Sequence, residues 1–276
     1  MTDTPPNWAI STPQTLRQAA ADLLRKDPDV RPDGIITKPK QSKGLFAGGL
    51  CQIPLSAPSN GTIVYFHGGG FVTGSPEERA ISTAWIAKLT NCQVLSCRYR
   101  LAPENPWPAQ RDDAKSAIKQ ALEDGPVTVA GDSAGVSVAL WGLSQLSASE
   151  LQMVNGFVGI YGAFGSTSVS SIDRFGTIES GLDRAAVEKM YTRLGPNAQP
   201  AAQFLLDGGP PSYLIVGDLD PLIDETRRWH DKRQQNDQKS ICRILPGYGH
   251  GCLRGIGRSD LLQDELRSLG NWIGAH

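Results

Sequence analysis

Short apolar runs bounded by Gly, Pro or polar residues alternate along the chain with longer stretches of helical period. Runs at 44–53, 61–66, 93–97, 127–130, 156–160, 212–216 and 240–244 predict strands. Several are apolar throughout, as strands buried on both faces are. Between them, Ile81, Trp85, Ile86 and Leu89 share one helical face within 79–89. Residues 134–146 are nearly all apolar and predict a buried helix, whereas 220–236 predict a polar one. Leu262, Leu266, Leu269 and Ile273 recur at the spacing of an amphipathic helix. This alternation predicts an α/β fold, a mainly parallel sheet with helices on both faces. Two stretches break it. In the first, about residues 1–33, Ser11 or Thr12 followed by Pro13 starts a helix that Pro28 ends. Leu16, Ala19, Ala20, Leu23 and Leu24 fall on one side of it. The second, residues 164–207, is rich in Ser, Gly and Pro around a helix near 183–194. Both are candidates for a small lid over the sheet.

Composition narrows the class without naming a chemistry. The 276 residues suit one large α/β domain, and 39% apolar with 20% charged residues argues against gross disorder. A net charge of −1 gives no electrostatic reason to expect nucleic acid or an anionic membrane as partner. No window of about 18 apolar residues predicts a transmembrane helix. The start, MTDTPPNWAISTPQTL, lacks the basic and apolar regions of a secretory signal. The five cysteines are odd in number and none pair at C-x-x-C spacing. Reduced thiols in the cytoplasm are therefore expected, with neither a disulfide framework nor a metal site, and no cofactor.

The densest chemical signal is Gly131-Asp132-Ser133-Ala134-Gly135, placed between a short β-branched strand and a helical pattern. A G-x-S-x-G turn in that setting holds the serine exposed at the tip of a tight elbow. A serine hydroxyl needs a base, and there are only four histidines. His67 opens a glycine run, His230 lies in the polar helix, and His276 is the last residue. His250, in the loop Pro246-Gly247-Tyr248-Gly249-His250-Gly251, is what elimination leaves. The base in turn needs a carboxylate to set its tautomer. Asp218, Asp220 and Asp224 all follow the strand at 212–216, and the residues alone leave the three open. Finally, the strand at 61–66 runs into His67-Gly68-Gly69-Gly70-Phe71. Consecutive glycines let backbone N–H groups approach a substrate oxygen, so this loop and the N–H of Ala134 are candidates for an oxyanion hole. No G-K-[ST] or G-x-G-x-x-G accompanies it, which excludes the usual nucleotide loops.

Taken together, His67–Ser75, Tyr99–Glu104, Pro106–Ala109, Gly131–Gly135, Asp220–Glu225 and His250-Gly251 resemble the hormone-sensitive-lipase-like group of α/β-hydrolases, the bacterial family IV carboxylesterases. The pieces share that family's order and similar spacing. The resemblance implies an eight-stranded α/β-hydrolase domain with a small helical cap formed by about residues 1–33 and 164–207. It implies Ser133 as nucleophile, His250 as general base and Asp220 as the acid, with Gly69, Gly70 and Ala134 as oxyanion donors. It also implies a serine carboxylesterase acting on small, short-acyl esters without cofactor, and makes a homodimer plausible. An amidase, deacetylase or lactonase shares the same triad, and hydrolase-like folds also serve as non-catalytic receptors. Phe71, Trp107, Tyr161 and Phe164 are expected to crowd the pocket. Cys252 replaces an aromatic residue, and Val136 a glycine, that the family commonly carries.

Overall fold

A computed structural model describes residues 5–26, 30–41, 43, 47–56, 60–236 and 238–276. Its strands are β1 (Ile35–Lys40), β2 (Gly49–Pro54), β3 (Thr62–Phe66), β4 (Gln93–Cys97), β5 (Val127–Asp132), β6 (Val154–Ile160), β7 (Ser212–Gly217) and β8 (Ser240–Leu245). They form one sheet in the order β1-β2-β4-β3-β5-β6-β7-β8. β1 and β2 pair antiparallel, as do β2 and β4; the remaining pairs are parallel. The predicted strands are recovered, except that residues 44–46 of the first lie outside the described residues. β1 has no predicted counterpart. Its sequence IITKPK is half polar, contains Pro39, and lies on the sheet edge, where a strand buries little.

The helices are α1 (Pro13–Lys26), α2 (Ala80–Thr90), α3 (Ala109–Leu122), α4 (Ala134–Leu143), α5 (Ala148–Gln152), α6 (Ser170–Phe175), α7 (Arg184–Arg193), α8 (Ile223–Gln235) and α9 (Asp260–Gly274). The expected helix over 134–146 ends at Leu143. Ser147 then starts α5 through a capping box with Glu150. Two apolar clusters flank the sheet. One joins Val64, Phe66 and Val129 to Ala114, Ile118, Val138 and Trp141 of α3 and α4. The other joins Tyr65, Val94 and Ile215 to Ile86 of α2 and to Leu262, Leu266, Leu269 and Ile273 of α9. The periodic apolar face read for the last helix is thus its buried face.

β5 is buried at every position. It pairs with β3 on one side and β6 on the other, its last pair being Asp132 with Ile160. The order of consecutive strands changes direction around β3, which puts the carboxyl ends of β3 and β5 side by side. In open α/β sheets such a crevice is where ligands bind. Over it lie α1 and the segment carrying α6 and α7. Arg17 of α1 donates from Nη1 and Nη2 to Glu104 and from Nε to the Val72 carbonyl at 2.8 Å. Arg193 of α7 donates to the Ser11 carbonyl at 2.6 Å, linking the two overlying segments. Among the described residues no helix is long and apolar enough to cross a membrane.

Candidate active site

The turn between β5 and α4 sets the position of Ser133. The residue has φ 51° and ψ −123°, a conformation that L-residues rarely adopt. Its backbone is fixed on both sides: Ser133 N donates to Ile160 O at 2.9 Å, and Ala163 N donates to Ser133 O at 3.0 Å. The turn closes only because Gly135 lacks a side chain. A Cβ there would lie 2.0 Å from the Phe66 carbonyl oxygen. The side chain of Ser133 is thereby left at the tip, with the N-terminus of α4 behind it.

His250 reaches the same point from the loop after β8. Its Nε2 lies 2.9 Å from Ser133 Oγ. Its Nδ1 lies 3.1 and 3.0 Å from the two carboxylate oxygens of Asp220. Asp220 is fully buried and accepts a further bond from Leu222 N at 2.8 Å. Tyr161 supports the imidazole edge-on, ring centroids 4.8 Å apart. The two neighbouring aspartates are engaged elsewhere. Asp218 accepts from Gly247 N at 2.7 Å, and Asp224 accepts from Ser170 Oγ and Ser171 N at 2.8 and 2.9 Å.

The glycine loop faces Ser133. Gly69 has φ 130°, and a Cβ on it would meet the Thr73 carbonyl oxygen at 2.2 Å. Its carbonyl accepts from Val72 N and Thr73 N, which folds the loop back on itself. The N–H groups of Gly69, Gly70 and Ala134 take no hydrogen-bond partner among the described residues. They are therefore free to serve a ligand oxygen. His67 belongs to the support of this loop. It is buried and stacked on Tyr99 at 4.3 Å, and burial holds its imidazole down at about 4. Tyr99 Oη donates to the His67 carbonyl at 2.7 Å. His230 is half-buried, 2.8 Å from Ser240 Oγ, and His276 lies against Trp272. Of the four histidines, His250 alone is hydrogen-bonded to Ser133.

A cavity of about 610 Å³ opens above Ser133 and His250. Leu16, Ala19, Ala20 and Leu23 of α1 form one wall, so the apolar stripe predicted for that helix faces a cavity; the side chain of Leu24 lies outside the described residues. Tyr161 also lines it. A smaller apolar recess beside Ser133 and Ala134 is lined by Phe71, Leu182, Val187, Met190 and Leu222. Two of the four expected pocket aromatics therefore reach the site. The other two require correction. Phe164 is buried, stacked on Trp229 at 5.3 Å. Trp107 packs against the core beneath Arg111, whose guanidinium lies 5.2 Å from its ring. Neither lines the cavity.

Several contributors carried no chemical signal in the sequence. Asp132, the second residue of the serine motif, accepts from Gly68 N and Tyr65 Oη, both at 2.7 Å. It thus ties the elbow to the glycine loop, and Arg79 Nε sits 3.8 Å from its other oxygen. Glu225 is buried and accepts from Phe164 N at 2.8 Å and Ser166 N at 3.0 Å, fixing the start of the segment over the site. Burial pushes its carboxyl up to about 7, although those two bonds pull the other way. Between its ordinary 4.5 and about 7, the folded state holds a proton that the unfolded state has lost. Stability conferred by this group therefore falls as pH rises through that window and levels off above it. Urea midpoints measured across the window should decline with pH for the wild type and flatten in Glu225→Gln. Equal slopes in the two proteins would exclude Glu225 as the source.

A family model described as alpha/beta hydrolase fold matches residues 63–254. Acetyl esterases of Salmonella are similar in sequence. That of Salmonella typhi is 26% identical over 227 residues, covering 76% of this chain and 70% of the relative. Among solved structures, an esterase of Pyrobaculum calidifontis aligns over 97% of this chain and 94% of its own, with a TM-score of 0.79 at 22% identity. An esterase from the bacterial hormone-sensitive lipase family aligns over 96% and 92%, with a TM-score of 0.84 at 21% identity.

Proposed function

The chain belongs to the α/β-hydrolase family, and from that premise we propose a serine carboxylesterase that acts on small, short-acyl esters. The observation that carries this reading is the His250 imidazole, hydrogen-bonded between Ser133 Oγ and the buried Asp220 carboxylate beside a glycine loop with unused N–H groups. The acetyl esterase relatives support an acyl group as small as acetyl. So does the narrowness of the apolar recess beside Ala134, between Phe71, Met190 and Leu222.

In the mechanism, Ser133 Oγ attacks the ester carbonyl carbon while His250 Nε2 takes its proton. Asp220 holds the Nδ1 proton and stabilises the imidazolium. The N–H groups of Gly69, Gly70 and Ala134 bind the developing oxyanion. Collapse breaks the ester C–O bond, and His250 returns the proton to the leaving alcohol. Water then attacks the acyl-enzyme, giving a proton to His250, and the acid departs with Ser133 regenerated. α1 and the α6–α7 segment act as a cap over the cavity. We place the protein in the cytoplasm, a reading that the five free cysteines support. A homodimer across the free edge of β8 is consistent with the exposed Ile241 and Ile244.

The test is a panel of p-nitrophenyl esters from acetyl to palmitoyl, run beside the matching acetanilide. Highest kcat/KM at two to four acyl carbons, with the anilide far slower, is the expected result. A faster amide would make the protein an amidase, and a preference for long chains would overturn the short-acyl assignment.

A further inference from the structure

The cavity is chemically lopsided. On the Ala134 side the recess is apolar. On the His250 side two arginines, Arg79 and Arg254, line the wall. Tyr161 connects this wall to the reacting groups: its ring lies against His250, and its hydroxyl donates to Asp132, the carboxylate that Arg79 faces, at 3.4 Å. Arg79 is largely covered and faces the buried Asp132 carboxylate. Arg254 differs. It lies four residues after His250 in a short helical turn, is exposed, and forms no ion pair among the described residues. Although the side chain is open to solvent, the protein packed around it and the like charge of Arg79 both work against its charge, and Asp132 and Glu78 offset this only from a distance.

A bound anion would relieve that repulsion, and a guanidinium fork matches the planar or tetrahedral oxygens of such a group. The position fixes which part of the substrate carries it. His250 hands its proton to the leaving oxygen, so the alcohol portion occupies the His250 side, where Arg254 stands. We propose, resting on the esterase reading above, that the enzyme takes esters whose alcohol portion bears an anionic oxygen group, a carboxylate or a phosphate, held by Arg254 with Arg79 behind it. Asp22 and Glu179 also line the cavity, from α1 and from the segment before α7. A cationic alcohol drawn to them is the opposed outcome.

The experiment compares kcat/KM for 4-acetoxybenzoate, 4-acetoxyphenyl phosphate, methyl 4-acetoxybenzoate and 4-acetoxyphenyltrimethylammonium. At least one anionic ester should exceed the neutral methyl ester by about tenfold, the scale of one hydrogen bond to a charged group. The better of the two anions identifies the group. The preference should shrink in high salt. Arg254→Gln should lower the anionic-to-neutral ratio by about tenfold, and Arg254→Lys should keep part of it. The inference is overturned if the wild type hydrolyses the neutral ester as well as the anionic ones, if the cationic ester is fastest, or if Arg254→Gln leaves the ratio unchanged. If no ester of the four is hydrolysed, the esterase reading itself fails and takes this one with it.

Discussion

Replacing Ser133 with alanine should lower kcat/KM for p-nitrophenyl acetate by about 10⁵- to 10⁶-fold, the scale at which a serine triad loses its nucleophile. The fold should not respond. The elbow is held by backbone bonds from Ser133 N to Ile160 and from Ala163 to Ser133 O, which alanine retains. The strained φ of 51° is the same cost for both residues. The hydroxyl is hydrogen-bonded to His250, whose position also rests on Asp220 and Tyr161. An unchanged thermal midpoint, together with loss of fluorophosphonate labelling, would separate a missing nucleophile from a damaged structure. Hydrolysis at the wild-type rate by the folded variant would remove Ser133 from the mechanism.

Why some of this site is legible in the sequence, and some is not, follows from how locally each group is determined. The elbow is local: a β-branched strand, two glycines and a helix within a few residues already force the serine outward. His250 emerges because the alternatives are so few, and the other three are occupied by Tyr99, Ser240 and Trp272. Tertiary contacts behave differently. Asp132 binds Gly68 N and Tyr65 Oη across more than sixty residues of chain, so nothing near it in sequence announces the role. Phe164 and Trp107 mislead because an aromatic ring packs as well against a core as against a ligand. In α1 the apolar stripe was readable, but whether it met a core or a cavity depended on where the sheet placed it. β1 escaped because an edge strand carries little of the apolar pattern that betrays buried ones.

The second large effect concerns the acid. Asp220→Asn should lower kcat by about 10⁴-fold while leaving the fold intact, as the same change does in other serine triads. Asparagine keeps the shape and can still accept from Leu222 N through its carbonyl oxygen. Its amide then presents N–H where Asp220 offered an oxygen to His250 Nδ1. The imidazole answers by placing its proton on Nε2, where it cannot accept the Ser133 proton, and no carboxylate remains to stabilise an imidazolium. Asp218→Asn and Asp224→Asn are the informative partners, because these residues flank Asp220 in the chain, one in the same loop and the other in the first turn of α8, and carry the same chemistry. Asp218 accepts from Gly247 N, and Asp224 from the first turn of α6. Their loss should cost stability or change KM before it reaches the proton transfer, so kcat should stay within about tenfold of wild type. A raised pH restoring part of the Asp220→Asn rate would match a tautomer defect. If Asp224→Asn or Asp218→Asn instead produced the 10⁴-fold loss and Asp220→Asn did not, the acid would have to be reassigned, and the burial of Asp220 beneath His250 would need another explanation.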